Sequence, residues 1–245
     1  MRITATIITQ DEERNIARAI ESLRCCDEIL ILDSGSTDRT VELAGNLGAR
    51  VIEAGWRGYS GQKNWAAEQA ANDWILSLDA DEALSEALEA EIWNLKKSGP
   101  KFDAYTMPRL ARYLGRWIYH AGWYPDRKIR LYDRRKAKWF GEFVHESVKC
   151  KGKLAHLESN ILHYTCDSLS EHLKTLDRYT TLAAQELAAN RVRVPMWSLI
   201  LDPPWNFVRS YVFHRGFQDG LEGLIICYMS AFYTFLKYSK ARNMS

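Results

Sequence analysis

Three short polar clusters stand at the ends of apolar runs. Thr9-Gln10-Asp11-Glu12 closes the run from Ile3. Asp33-Ser34-Gly35-Ser36-Thr37-Asp38 closes EILILD (28–33). Asp79-Ala80-Asp81-Glu82 follows WILSL (74–78). Two carboxylates one residue apart after an apolar strand can hold Mg²⁺ or Mn²⁺, because hard cations take oxygen ligands and bridge phosphates well. A solitary D-x-D is more often a solvated turn; its place after a fully apolar strand and beside two other strand-end clusters favours the metal. No G-x-G-x-x-G follows the first apolar run and no G-x-x-x-x-G-K-[ST] occurs, which argues against a dinucleotide fold of the nicotinamide type and excludes a P-loop. Phosphates would therefore be held by a metal rather than by a glycine cradle. There is no G-x-S-x-G elbow of a hydrolase either.

These clusters need strands to present them. Ile3–Thr9, Glu28–Asp33, Arg50–Ile52 and Trp74–Leu78 have the apolar, β-branched character of buried strands. Between them the pattern predicts helices: Asn15–Leu23, a second running from the Ser36-Thr37-Asp38 caps to Leu47 with Gly48 as its stop, and Ser60–Ala71. A fourth, capped by Ser85, ends before Gly99-Pro100. Alternating β and α elements imply an α/β fold with a mostly parallel sheet, helices on both faces and right-handed crossovers. Ligands of such sheets bind beyond the carboxyl ends of the strands, where the clusters fall. After residue 100 the rhythm changes to shorter strands, Phe102–Leu110, Lys128–Asp133, Phe143–Lys149 and Lys153–His163. Ser168-Leu169-Ser170-Glu171 is a capping box opening an amphipathic helix through Asn190. Pro195, Pro203 and Pro204 are expected to break the next stretch, and Leu221–Tyr238 to form one apolar, aromatic helix. The chain thus reads as segments 1–100, 101–167 and 168–245.

With 245 residues, 47% hydrophobic and 26% charged, the chain has a globular composition; disordered, collagen-like and coiled-coil classes are excluded. A net charge of +2 argues against a nucleic-acid partner. That mean hides an asymmetry. Residues 1–100 carry ten Lys and Arg against eighteen Asp and Glu, residues 101–153 carry fourteen against five, and the remainder nine against eight. The acidic part suits a metal and the basic part an anionic substrate or surface, unless both are solvated faces. Five cysteines without C-x-x-C spacing read as reduced thiols of a cytoplasmic protein. The apolar run after Met1 is too short for a signal peptide and is expected to enter a strand directly.

Taken in order, Thr9–Glu12, DSGSTD (33–38), GQKN (61–64) and LDADE (78–82) resemble the inverting glycosyltransferases of family 2, which have the GT-A fold. YPDRKIRLYDR (124–134), GEFVHE (141–146) and LHYT (162–165) resemble the bacterial subgroup that adds glucose to a heptose of the lipopolysaccharide inner core. One departure is Ser34, where the family's usual motif has a second acid. The resemblance implies a nucleotide-sugar half (1–100), an acceptor and catalytic part with a smaller mixed sheet (101–167) and a C-terminal helical region (168–245). It implies a UDP-sugar donor, Mg²⁺ or Mn²⁺ as cofactor, and no nucleic acid. Thr9 and Glu12 would line the nucleotide pocket and Asp33 would meet the uracil. Lys63 and Asn64 would lie near the nucleotide or diphosphate. Asp79 would face the ribose or the metal, and Asp81 would bind the metal. His163 is either a further metal ligand or a structural histidine beside Tyr164.

Inversion needs a carboxylate to take the acceptor's proton. In this family the base lies downstream of D-x-D, which gives Glu146 first and Asp126 second, with His145 orienting either; the alternative is an ion pair with Arg127, Arg130 or Lys149. Arg109, Arg112, Arg116, Arg127 and Arg130 are suited to phosphates or carboxylates of an acceptor, and Trp117, Tyr119, Trp123 and Tyr124 to sugar rings or to the core. The Leu221–Tyr238 stretch is too interrupted to span a bilayer. It is expected to lie on the cytoplasmic face of the inner membrane, to pack on the protein, or to make a homo-oligomer. Two rival functions remain: loading of a polyprenyl phosphate, and a non-catalytic carbohydrate- or lipid-binding module.

Overall fold

The structure, a computed structural model, describes residues 1–141 and 146–244. Its strands are β1 (Ile3–Thr9), β2 (Glu28–Asp33), β3 (Arg50–Glu53), β4 (Trp74–Asp79), β5 (Glu82–Leu84), β6 (Ala104–Tyr113), β7 (Arg116–Ile118), β8 (Asp126–Asp133), β9 (Ala137–Phe140), β10 (Ser147–Cys150), β11 (Leu154–His156) and β12 (Ile161–Cys166). Its helices are α1 (Ile16–Glu21), α2 (Thr40–Asn46), α3 (Tyr59–Gln69), α4 (Glu86–Ser98), α5 (Leu169–Ala189), α6 (Met196–Val208) and α7 (Gly220–Met244). The chain divides into two compact units: residues 1–109 with 126–163, and residues 110–125 with 164–245.

The first unit is the expected α/β fold. Its strands run in the order β3-β2-β1-β4-β8-β6. The first four are mutually parallel, and β8 enters antiparallel between β4 and β6. Both faces of β1 and β4 are covered: on one, Ile3, Ala5, Ile7, Leu76 and Leu78 are fully buried with Ile16 of α1, Leu23 just after it, and Leu88 and Ile92 of α4, and on the other Thr4, Thr6, Ile75 and Ser77 are buried too. Register places Thr9 beside Asp33 and Ile8 beside Asp79, so the three polar clusters emerge at one edge. Helix α4 starts where expected, with Ser85 Oγ accepting from Leu88 N at 3.2 Å. It stops at Gly99, whose φ of +79° suits a residue without a Cβ.

Three strands were not anticipated: β5, β7 and β9. β5 lies inside an acidic stretch with no strand signal. The expected single strand 153–163 is two pieces, because the chain changes partner. β11 pairs parallel with the start of β6, while Ile161–His163 pair antiparallel with β5. Of the expected strand Phe143–Lys149, residues 143–145 lie outside the described residues.

The second unit is mainly helical. Ser168 caps α5 by accepting from Glu171 N, and the Glu171 carboxylate accepts from Asp167 N. Contrary to the sequence expectation, Pro203 and Pro204 do not break the chain here. Both sit inside α6, with Pro195 just before it. Prolines cost a helix about 3 kcal/mol each in isolation, and tertiary packing overrides that: Asn206 Nδ2 donates to Ser230 O and to Thr234 Oγ1 of α7. A π-helical turn, Arg209–Phe213, and a 3-10 turn, Gly216–Asp219, connect α6 to α7. No helix among the described residues is long and apolar enough to cross a membrane.

Candidate active site

The loops after β1 and β2 are laced together. Asp33, 1% exposed, turns back on its own loop: Oδ2 accepts from Gly35 N and Ser36 N, and Oδ1 from Ser36 Oγ. Asp11, with φ +54°, accepts from Thr37 N and Thr37 Oγ1. Asp33 thus shapes the loop. The polar atoms left open beside it are others. Gln62, fully buried on α3, donates to Ser34 Oγ at 2.9 Å. Its Oε1 and the Thr9 hydroxyl are buried with no partner among the described residues. Glu12 accepts from Asn15 Nδ2 at 2.8 Å. Burial pushes its carboxyl above the usual range; Asn15 opposes this, and nearby Asp81 and Asp38 add to it.

Past β4 lies a chain of charges, buried at Lys63, Arg130 and Glu82 and more open toward Lys128. Lys63, 2% exposed, stands 2.7 Å from Asp79 Oδ1 and 2.5 Å from Glu146 Oε1, with its ammonium 4.3 Å from the centre of the Trp139 ring. Arg130, 3% exposed, reaches Asp79 Oδ2 and Glu82 Oε1, both at 2.8 Å. Arg109 touches Glu82 at 3.3 Å and Asp126 at 2.8 Å, and Lys128 closes the row on Asp126 at 3.0 Å. Four cations therefore alternate with four carboxylates. Burial alone would raise the Asp79 carboxyl, but Arg130 and Lys63 hold it well below the usual carboxylate range. Asp126 is likewise lowered, burial being outweighed by Arg109 and Lys128.

Two groups in this row keep unused valence. Glu146 Oε2, and Nε and Nη1 of Arg130, are buried and have no hydrogen-bond partner among the described residues. Unpaired polar atoms in a protein interior are costly and mark places where a ligand or water completes the structure.

Asp81 is separate from this row. The β5–β12 pairing sets His163 opposite Glu82 and brings His163 Nε2 within 3.2 Å of Asp81 Oδ2. Both Asp79 oxygens are taken by cations, which leaves Asp81 and His163, paired with each other, as the other expected metal ligands here. No group of three His, Cys, Asp or Glu among the described residues is arranged to hold a metal ion. A carboxylate oxygen and an imidazole nitrogen are donors that Mn²⁺ would accept, and the oxygen alone would suit Mg²⁺.

The remaining sequence candidates fall elsewhere. Asn64 is turned to β9, donating to Trp139 O and accepting from Trp139 N, so it fastens α3 to that strand. Arg127 pairs with Glu158 at 2.6 Å and donates to Leu157 O. Trp123 belongs to the second unit, where its ring meets Tyr113 edge-on at 5.7 Å. His145 lies outside the described residues. Gln62, Glu82 and Trp139 join the site without being expected there. Gln62 and Glu82 sit within GQKN (61–64) and LDADE (78–82), so position could have flagged them. Trp139 carries no such signal, because only β9 places it under Lys63.

The family model described as glycosyl transferase family 2 matches residues 4–153. The chain belongs to glycosyltransferase family 2. It is 32% identical to an uncharacterized glycosyltransferase of Rickettsia typhi, over 100% of this chain and 88% of that one. It is also 32% identical to the lipopolysaccharide core biosynthesis glycosyltransferase LpsC of Rhizobium meliloti, over 97% and 91%. Among solved structures it resembles glucosyl-3-phosphoglycerate synthase from Mycobacterium tuberculosis in complex with Mn²⁺, UDP and glucosyl-3-phosphoglycerate. There the TM-score is 0.51 at 16% identity, covering 80% of this chain and 82% of that one. It also resembles TarS from S. aureus, with TM-score 0.50 at 12% identity, covering 99% and 91%. The fold is of the GT-A type.

Proposed function

We propose that this family 2 enzyme transfers a hexose, glucose by resemblance, from a UDP-sugar to a heptose hydroxyl of the lipopolysaccharide inner core, with inversion. The observation that carries the reading is Glu146. One of its carboxylate oxygens is fixed on Lys63, and the other is buried without a partner among the described residues. That is a positioned oxygen ready for the proton of an attacking hydroxyl. The relative in lipopolysaccharide core biosynthesis supports the acceptor class, and the neighbour solved with Mn²⁺ and UDP supports the donor and cofactor class.

Thr9, Gln62 and Glu12 receive the nucleotide beside the loop that Asp33 shapes. Asp81 and His163 would hold the Mg²⁺ or Mn²⁺, and the chemistry it would supply there is neutralisation of charge on the leaving diphosphate. Asp79 keeps Lys63 and Arg130 at fixed positions. The free donors of Arg130 point to an anionic oxygen of a substrate. Asp126, doubly ion-paired, is the weaker base. A lipid-linked acceptor also places the enzyme at the cytoplasmic face of the inner membrane.

The test is UDP release from UDP-glucose with Mn²⁺, comparing heptose-terminated lipopolysaccharide with polyprenyl phosphate. Release stimulated by the lipopolysaccharide, and reduced about 10²-fold or more in kcat by Glu146→Gln with UDP-glucose binding retained, is the expected result. Stimulation by polyprenyl phosphate alone, with Glu146→Gln still active, assigns carrier loading instead, since a phosphate oxygen needs no base.

A further inference from the structure

Helix α6 is built inside out. Its exposed residues are Met196, Trp197, Ile200, Leu201, Pro204, Trp205 and Val208. At 100° per residue these occupy one continuous half of the helix, and none is polar. Trp197, Ile200, Leu201 and Trp205 are each about 60% exposed, at 60, 63, 60 and 58%. The three polar residues of α6, Ser198, Asp202 and Asn206, lie on the opposite half. Ser198 is buried and Asn206 is hydrogen-bonded to α7. The apolar surface continues through Val212, Phe213, Phe217 and Leu221, each at least half exposed. A helix of a water-facing domain has the reverse polarity, and an apolar patch this size marks a binding surface.

We propose that this half of α6 inserts, parallel to the surface, into the interfacial layer of an anionic lipid bilayer. Two features choose a bilayer over a protein partner. Tryptophans at both ends of α6 are the side chain favoured at the headgroup boundary. Exposed arginines bracket the segment in sequence, Arg191 and Arg193 before it and Arg209 and Arg215 after it; each basic side chain near an anionic leaflet adds attraction. At 13 residues α6 is too short to span a bilayer. Pro203 and Pro204 also deny helical partners to the carbonyls of Leu199 and Ile200, and water at the headgroup boundary can satisfy these for an in-plane helix. The proposal moves the docking element from Leu221–Tyr238 to α6. It draws on the lipid-linked acceptor reading only for its purpose; the argument for insertion is independent of that reading.

The test is flotation of the full chain, without donor or acceptor, on phosphatidylcholine vesicles with and without phosphatidylglycerol. The protein is expected to float with the anionic vesicles. Acyl-brominated lipid should quench its tryptophan fluorescence, and Trp197→Phe with Trp205→Phe should remove most of that quenching. Ile200→Ser with Leu201→Ser should weaken vesicle binding about tenfold or more, while UDP binding and thermal midpoint stay unchanged. Failure of the wild type to float overturns the proposal, as does flotation that the serine variant leaves intact. So does an α6-dependent dimer in light scattering that does not bind vesicles. The vesicles contain no lipopolysaccharide, so a failed transfer assay and a failed flotation are separate results.

Discussion

The end of β4 and the surface of α6 treat polarity in opposite ways. At β4, charged side chains are buried and satisfied mostly by one another: Lys63 and Arg130 are 2 and 3% exposed and share Asp79, Glu82 and Glu146. At α6, tryptophan, isoleucine and leucine face outward while asparagine faces in. Both arrangements are costly in water, and both make sense where something else arrives, a charged sugar nucleotide in one place and a lipid surface in the other. The difference lies in how each region should respond to damage. The first is a closed electrostatic network whose members depend on one another; the second is a set of side chains that contribute almost nothing to the fold.

The largest effect should follow Arg130→Met. It leaves Asp79 and Glu82 short of a buried cation, and removing one partner of a buried pair costs about 3–5 kcal/mol. Urea denaturation should show that loss. If the variant is as stable as the wild type, the row of charges is not a network in the free protein.

Next comes acid. Asp79 is held well below the usual carboxylate range, so the unfolded chain takes up its proton at a higher pH than the folded one. Stability from this group is complete above the ordinary value of about 4. It is lost as pH falls from there through the depressed folded value. Melting curves between neutral pH and pH about 3 should therefore slope downward toward acid. Asp79→Asn should flatten that slope and lower the neutral-pH midpoint. An unchanged slope would mean that Lys63 and Arg130 do not favour the charged form.

How much of this was legible beforehand divides along the same line. The strands bearing Thr9, Asp33 and Asp79 announce themselves, because fully buried parallel strands are long apolar runs and their polar ends are abrupt. Ser85 and Gly99 mark α4 for reasons local to the backbone. The pairing of charges was not legible. The basic middle looked like a face for an anionic acceptor, but Arg109, Arg130, Arg134 and Arg135 are matched with Glu82, Asp79, Asp73 and Asp133, pairs that only the antiparallel insertion of β8 and the turn after it create. The Asp81–His163 approach depends on β5, a three-residue strand with no local signal. In α6 the prolines argued correctly about helix propensity and wrongly about outcome, since bonds to α7 outweigh it.

The smallest effect is the most informative about α6. Ile200 is 63% exposed, so Ile200→Ser removes little buried area from the free protein and should change its stability by no more than about 0.5 kcal/mol. Leu76, fully buried in β4, provides the contrast: Leu76→Ala should cost about 2–5 kcal/mol. Measured side by side in urea, the two fix the scale. A cost for Ile200→Ser approaching that of Leu76→Ala would show that the residue already packs against something in solution, and a second copy of the chain would then be the first partner to look for. A negligible cost in solution that becomes a measurable one on vesicles would locate the missing contact at the lipid, because the same methyl groups that cannot stabilise the free fold would then be leaving water only when a bilayer is present.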